Sequence, residues 1–120
     1  MKKTLDLLKK GFESSMYKTT EFKGFVRTFR SEVTKGLKTL GATDIKIGDG
    51  GHFCISGFFK VGAQWYYLSL SDVRGSEFSL AQGGSVQMLY RTAEHNKDFT
   101  GGGNQYVNIE TDMFEKMNIN

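Results

Sequence analysis

A chain of 120 residues and 13.5 kDa suits a single core, because one domain usually takes roughly 100 to 150 residues. Its apolar fraction is 38%, but ten Phe, five Tyr and one Trp allow a compact core from a few large side chains and exclude a disordered polymer. The net charge of +3 conceals an asymmetry: eleven Lys and Arg face five acids up to Ile47, a net of +6, and the remainder sums to −3, which hints at an anionic partner such as nucleic acid.

Thr4 to about Tyr17 reads as a helix, with Leu5, Leu8, Phe12 and Met16 three or four residues apart and Thr4 placed to cap the first turn. Gly11 weakens its middle by up to about 1 kcal/mol, so packing rather than propensity must hold it. The second helix is more regular. Thr19 or Thr20 caps it, and Phe22, Phe25, Val26, Phe29, Val33, Leu37 and Leu40 step along one face to Gly41, a C′ residue suited to the left-handed region. These seven side chains fall within an arc of about 120°. Lys23, Arg27, Arg30 and Lys38 flank one side of that stripe and form a continuous strip, while Glu21 and Glu32 lie on the other.

After Gly41 the period shortens to two, the mark of a sheet. Asp44–Ile47 reads as a short strand closed by a Gly48-Asp49-Gly50-Gly51 turn, His52–Lys60 and Gln64–Ser71 as a hairpin through Val61-Gly62-Ala63, and Val86–Thr92 as a further strand. Residues 75–85 and 93–105 read as long loops, and loops of a dozen residues are usually functional or mobile. Tyr106–Glu110 is a last strand, and Thr111 caps a helical turn that carries Phe114 and Met117. This order predicts one α+β domain over residues 1–120. Two N-terminal helices lie on one face of a four- to five-stranded antiparallel sheet, and a short helical turn ends the chain.

The chemistry of the side chains points away from catalysis. The single Cys54 excludes an internal disulfide framework and a multi-cysteine zinc site, and with His95 it makes at most a bare thiol–imidazole pair lacking an orienting third group. His52 and His95 lack the neighbours that a metal site requires, so neither a metal nor another cofactor is expected. Gly101-Gly102-Gly103 precedes a strand and is followed by Asn104-Gln105, the wrong context for a phosphate loop. Lys23-Gly24-Phe25-Val26 with Phe29 is similar to part of an RNA-recognition signature, but helical spacing turns those aromatics into the core. Phe58, Trp65 and Tyr67 offer a stacking platform if the helices cover only the opposite sheet face.

Two polar clusters stand at strand ends, Ser69-x-Ser71-Asp72-x-Arg74 and Arg91-Thr92-x-Glu94-His95-x-Lys97-Asp98. Arg74 and Arg91 suit recognition of an anion or partner, because a guanidinium donates two parallel hydrogen bonds to carboxylate or phosphate. The alternative is that Asp72 and Asp98 pair with these arginines and pin the loops. Candidate binding residues are therefore Lys23, Arg27, Arg30, Lys38, Arg74, Arg91, Asp72 and Asp98.

Gly51-His52-Phe53-x-x-Ser56-Gly57-Phe58-Phe59, Tyr66-Tyr67-x-Ser69-x-Ser71-Asp72-Val73-Arg74, Arg91-Thr92-Ala93 and Asp98-x-Thr100-Gly101-Gly102-x-Asn104-Gln105-Tyr106-Val107 resemble small proteins carried by phages and conjugative elements of gut bacteria. That resemblance spans about residues 20–109 and implies a genetic setting rather than a reaction. In size and polarity the chain also resembles anti-CRISPR proteins. The implied function is a non-enzymatic inhibitor or modulator of a host nucleic-acid-processing complex; the alternative is direct binding of nucleic acid by the second helix. An inhibitor would meet a basic nuclease groove with Asp49, Asp72, Glu77, Glu94 and Asp98, or phosphates with the basic strip. No stretch approaches the roughly 18 apolar residues of a membrane span, and Leu5, Leu7 and Leu8 are too broken for a signal peptide, so a cytosolic location without membrane contact is expected.

Overall fold

A computed structural model describes residues 1–9, 19–51, 53–71, 73 and 83–119. Helix α1 (Lys2–Lys9) and helix α2 (Thr19–Thr39) precede β1 (Ala42–Gly51), β2 (Cys54–Val61), β3 (Gln64–Leu70), β4 (Gln87–Ala93) and β5 (Gln105–Asn108), and α3 (Met113–Lys116) follows. The five strands form one antiparallel sheet in sequential order, so every pairing joins neighbours in the chain. This is the expected α+β architecture, with the helices over one face.

The apolar stripe of α2 makes that face. Phe25, Phe29, Val33 and Leu37 are almost fully buried and pack with Ile55, Phe59, Leu68, Leu70 and Met88, which alternate along the strands on the same side of the sheet. Phe59 and Tyr66, directly opposed across β2 and β3, stack with ring centroids 5.2 Å apart. Gly57 sits in this layer because a Cβ there would run into the backbone of Lys46 and Ile47 on β1. Gly41 ends α2 at φ 84°, as its position after the apolar period requires. Among the described residues no helix is long and apolar enough to cross a membrane.

The sequence reading needs correction at the glycine run of β1 and at Thr4. The glycine run 48–51 is strand rather than turn: β1 continues to Gly51, with register shifts between Thr43 and Lys46 and between Asp49 and Gly51. The reversal comes at Gly51 and Phe53, both at positive φ, and an edge strand tolerates glycines and bulges that an inner strand would not. Thr4 lies inside α1 and is no cap. Its hydroxyl donates to Glu32 of α2, so a tertiary contact takes the place of the local one. Gly11, Phe12 and Met16 fall outside the described residues.

Candidate functional site

Helix α2 carries cations on the side turned away from the sheet. Lys23, Arg27, Arg30 and Lys38 are all exposed and fall within an arc of about 80° at 100° per residue. The strip runs about 22 Å along the helix at 1.5 Å per residue. None of the four forms an ion pair with an acid whose side chain is described, a set to which Glu21 does not belong. Lys35, which sequence reading left outside the strip, is exposed as well and extends the basic surface round the helix toward α1.

Glu32, on the far flank, is engaged elsewhere. Glu32 accepts hydrogen bonds from the backbone N–H of Thr4 at 2.6 Å, the Thr4 hydroxyl at 2.7 Å and the backbone N–H of Lys3 at 3.2 Å. It thus satisfies first-turn donors of α1 that have no intrahelical acceptor and holds α1 against α2. Burial pushes its carboxyl upward in pKa, but the Thr4 and Lys3 hydrogen bonds outweigh that effect and leave it below the usual glutamate value.

An open groove of about 500 Å³ lies on this outer surface, between α1 and the C-terminal turn. Arg27, Ser31 and Lys35 of α2 line it together with Lys3 and Phe114. Phe114 reaches this position because Gly36 has no side chain: its ring occupies the space a Cβ at Gly36 would take. α3 is held in turn by Met113 and Met117, both buried, and by Lys116, whose ammonium lies 2.8 Å from Glu110 and 3.4 Å from Asp112. The first of α3's flanking residues is Asp112, not Thr111, and its side chain forms no capping bond.

The sheet's other face has a different character. Arg91 on β4 is 2% exposed, with its guanidinium 4.7 Å above the Tyr67 ring. It donates to the carbonyl oxygens of Thr92 at 3.1 Å and Asp98 at 2.5 Å, and lies 3.7 Å from the Asp98 carboxylate. Asp98 accepts in addition from the backbone N–H groups of Glu94 and Thr100. These bonds, the Glu94 N–H foremost, hold its carboxyl below the usual aspartate value together with the nearby Arg91 charge, against the opposing effect of burial. Residues 94–104 are thereby tied across the sheet, and Gly101 lies so close to Arg91 that a Cβ would collide with the guanidinium.

The same loop delivers Phe99 onto Phe58 and Tyr67, at centroid distances of 5.1 and 6.0 Å. Phe58 is consequently 6% exposed, whereas Phe99 and Tyr106 are the exposed large rings among the described residues, at 65% and 58%. Trp65 is half-buried beneath Lys60, whose ammonium stands 5.5 Å from the ring centroid. Arg91 and Asp98 thus meet each other, far from the strip on α2. Asp72 and Arg74 lie outside the described residues.

Cys54 and His95 do not converge. Cys54 opens β2 at the end of the sheet where Ile55 faces Leu70; His95 follows β4 at the end where Lys60 faces Trp65 and Trp65 faces Ala93. The strand between these ends is about 20 Å long at roughly 3.3 Å per residue. The His95 Nδ1 accepts the backbone N–H of Lys97 at 3.1 Å. Among the described residues no three His, Cys, Asp or Glu side chains gather where a metal ion could be held. Compared with protein-family models, curated proteins and solved structures, the chain matches none.

Proposed function

We propose that this is a non-enzymatic binding protein that docks on a host nucleic-acid-processing complex and modulates it, meeting the nucleic acid of that complex with the basic face of α2. The observation that carries this reading is the exposure of Lys23, Arg27, Arg30 and Lys38 along one side of a rigid helix, with no described acid paired to any of them. Cations fixed on a packed helix present a preformed counter-surface to phosphates, and each neutralised phosphate releases condensed counterions. The resemblance of its motifs to small proteins of phages and conjugative elements, and of its size and polarity to anti-CRISPR proteins, supports the choice of a host complex as partner.

Direct binding of nucleic acid without a protein partner is the second reading, and the same strip supports it. Four phosphate contacts on duplex DNA give a log–log salt slope of about −3.6, from roughly −0.9 per phosphate. A salt titration of the isolated protein with labelled duplex tests the strip. A slope near that value supports phosphate docking, and a flat response contradicts it. Capture of a host complex that is lost on nuclease digestion places the contact on nucleic acid; capture that survives digestion and charge reversal of the strip contradicts the role given to α2.

A further inference from the structure

We infer that the groove between α1, α2 and the C-terminal turn receives an unpaired nucleotide, so that the basic face of α2 prefers single-stranded to duplex nucleic acid. This rests on the reading of α2 as a phosphate-binding face and names the form of nucleic acid it takes. The groove holds about 500 Å³, within the range of small-molecule sites and ample for one nucleotide. Its charged lining is cationic: Lys3, Arg27 and Lys35 are exposed around it. Glu32, the one acid that lines it among the described residues, is already hydrogen-bonded to the first turn of α1.

Phe114 supplies what a purely electrostatic surface lacks. Every base has a π-face that an aromatic ring can meet irrespective of sequence, but only an unstacked base is free to use it. Seated on Gly36, Phe114 borders the groove beside hydroxyls such as Ser31, while Arg27 belongs both to the groove and to the strip. A single strand following Lys23, Arg27 and Arg30 therefore keeps its phosphates on the helix while one base turns toward Phe114. A duplex, with its bases paired inside, engages the strip alone and leaves the groove empty.

The test compares binding of a labelled oligothymidine strand and a duplex of equal length, by fluorescence anisotropy, for the wild-type protein and for Ser31→Leu, Lys35→Gln and Phe114→Leu. The wild type is expected to bind the single strand about tenfold more tightly than the duplex, the scale of one base–aromatic contact. Ser31→Leu, at an exposed position, narrows the groove without adding a ring and removes that preference while leaving duplex affinity within about twofold; Phe114→Leu does the same if it folds. Lys35→Gln weakens the single strand selectively. Equal wild-type affinity for both forms, or a preference that survives Ser31→Leu, overturns the groove and leaves the strip reading standing. Binding of neither form overturns both and points to an acidic protein surface as the partner.

Discussion

Arginine serves two opposite purposes in this protein. On α2, Arg27 and Arg30 reach solvent from a helix whose other side is core, and no described acid holds them. On β4, Arg91 is enclosed by Tyr67, Gly101 and Asp98, and it donates to the carbonyl oxygens of Thr92 on its own strand and of Asp98 in the loop that follows. The first kind costs the fold little and is available to a ligand. The second organises a loop and is buried away from a ligand.

Removing each kind should therefore do opposite things. Arg91→Ala empties a buried position, breaks two hydrogen bonds to carbonyl oxygens and removes the ring contact, and is expected to lower stability by about 3 kcal/mol in urea unfolding. Where it remains folded, its nucleic-acid affinity should stay within about twofold of wild type; a specific loss of binding at unchanged stability would erase the distinction between the two kinds.

A glycine pair on α2 sharpens the contrast between a free and a covered helix surface. Gly36→Ala forces Phe114 from its seat and is expected to cost about 1–3 kcal/mol by overpacking. Gly24 has nothing within 4 Å of an added Cβ, so Gly24→Ala should stabilise by about 0.5–1 kcal/mol. Thermal unfolding of the two variants checks both signs, and a stabilised Gly36→Ala would contradict the placement of the C-terminal turn.

Glu32 and Asp98, two carboxylates that accept backbone hydrogen bonds, predict the pH response. Glu32 and Asp98 both have folded pKa values below their unfolded ones, so the unfolded chain binds more protons in acid. Their contribution is present above the unfolded values, about 4.3 for Glu and 3.9 for Asp, and is lost as pH falls through and below that range. Chemical denaturation at descending pH should show the loss, and Glu32→Gln together with Asp98→Asn should flatten it.

The second helix was legible because its evidence is local. A repeat of three and four in Phe22, Phe25, Phe29, Val33 and Leu37 fixes the buried side, and the basic strip follows from helix geometry alone. Gly48–Gly51 was misread because glycine signals a turn unless one knows that the strand is an edge, which only the sheet order reveals. The closure of residues 94–104 over Arg91 pairs a strand with its following loop at no fixed period, though the Arg91 and Asp98 charges did mark both ends. Nothing in the sequence connects Gly36 to Phe114. Their contact joins the middle of α2 to the last turn, so the groove beside them emerged only from the fold.

The central claim is that the outer face of α2 is a docking surface rather than part of the scaffold, and charge reversal tests it most directly. Arg27→Glu with Arg30→Glu should leave the midpoint of urea unfolding within the shift of about 0.5 kcal/mol expected of surface substitutions. The same variant should lose nucleic-acid binding by tenfold or more and lower the magnitude of the salt slope. Unchanged affinity in a variant of native stability would contradict the account.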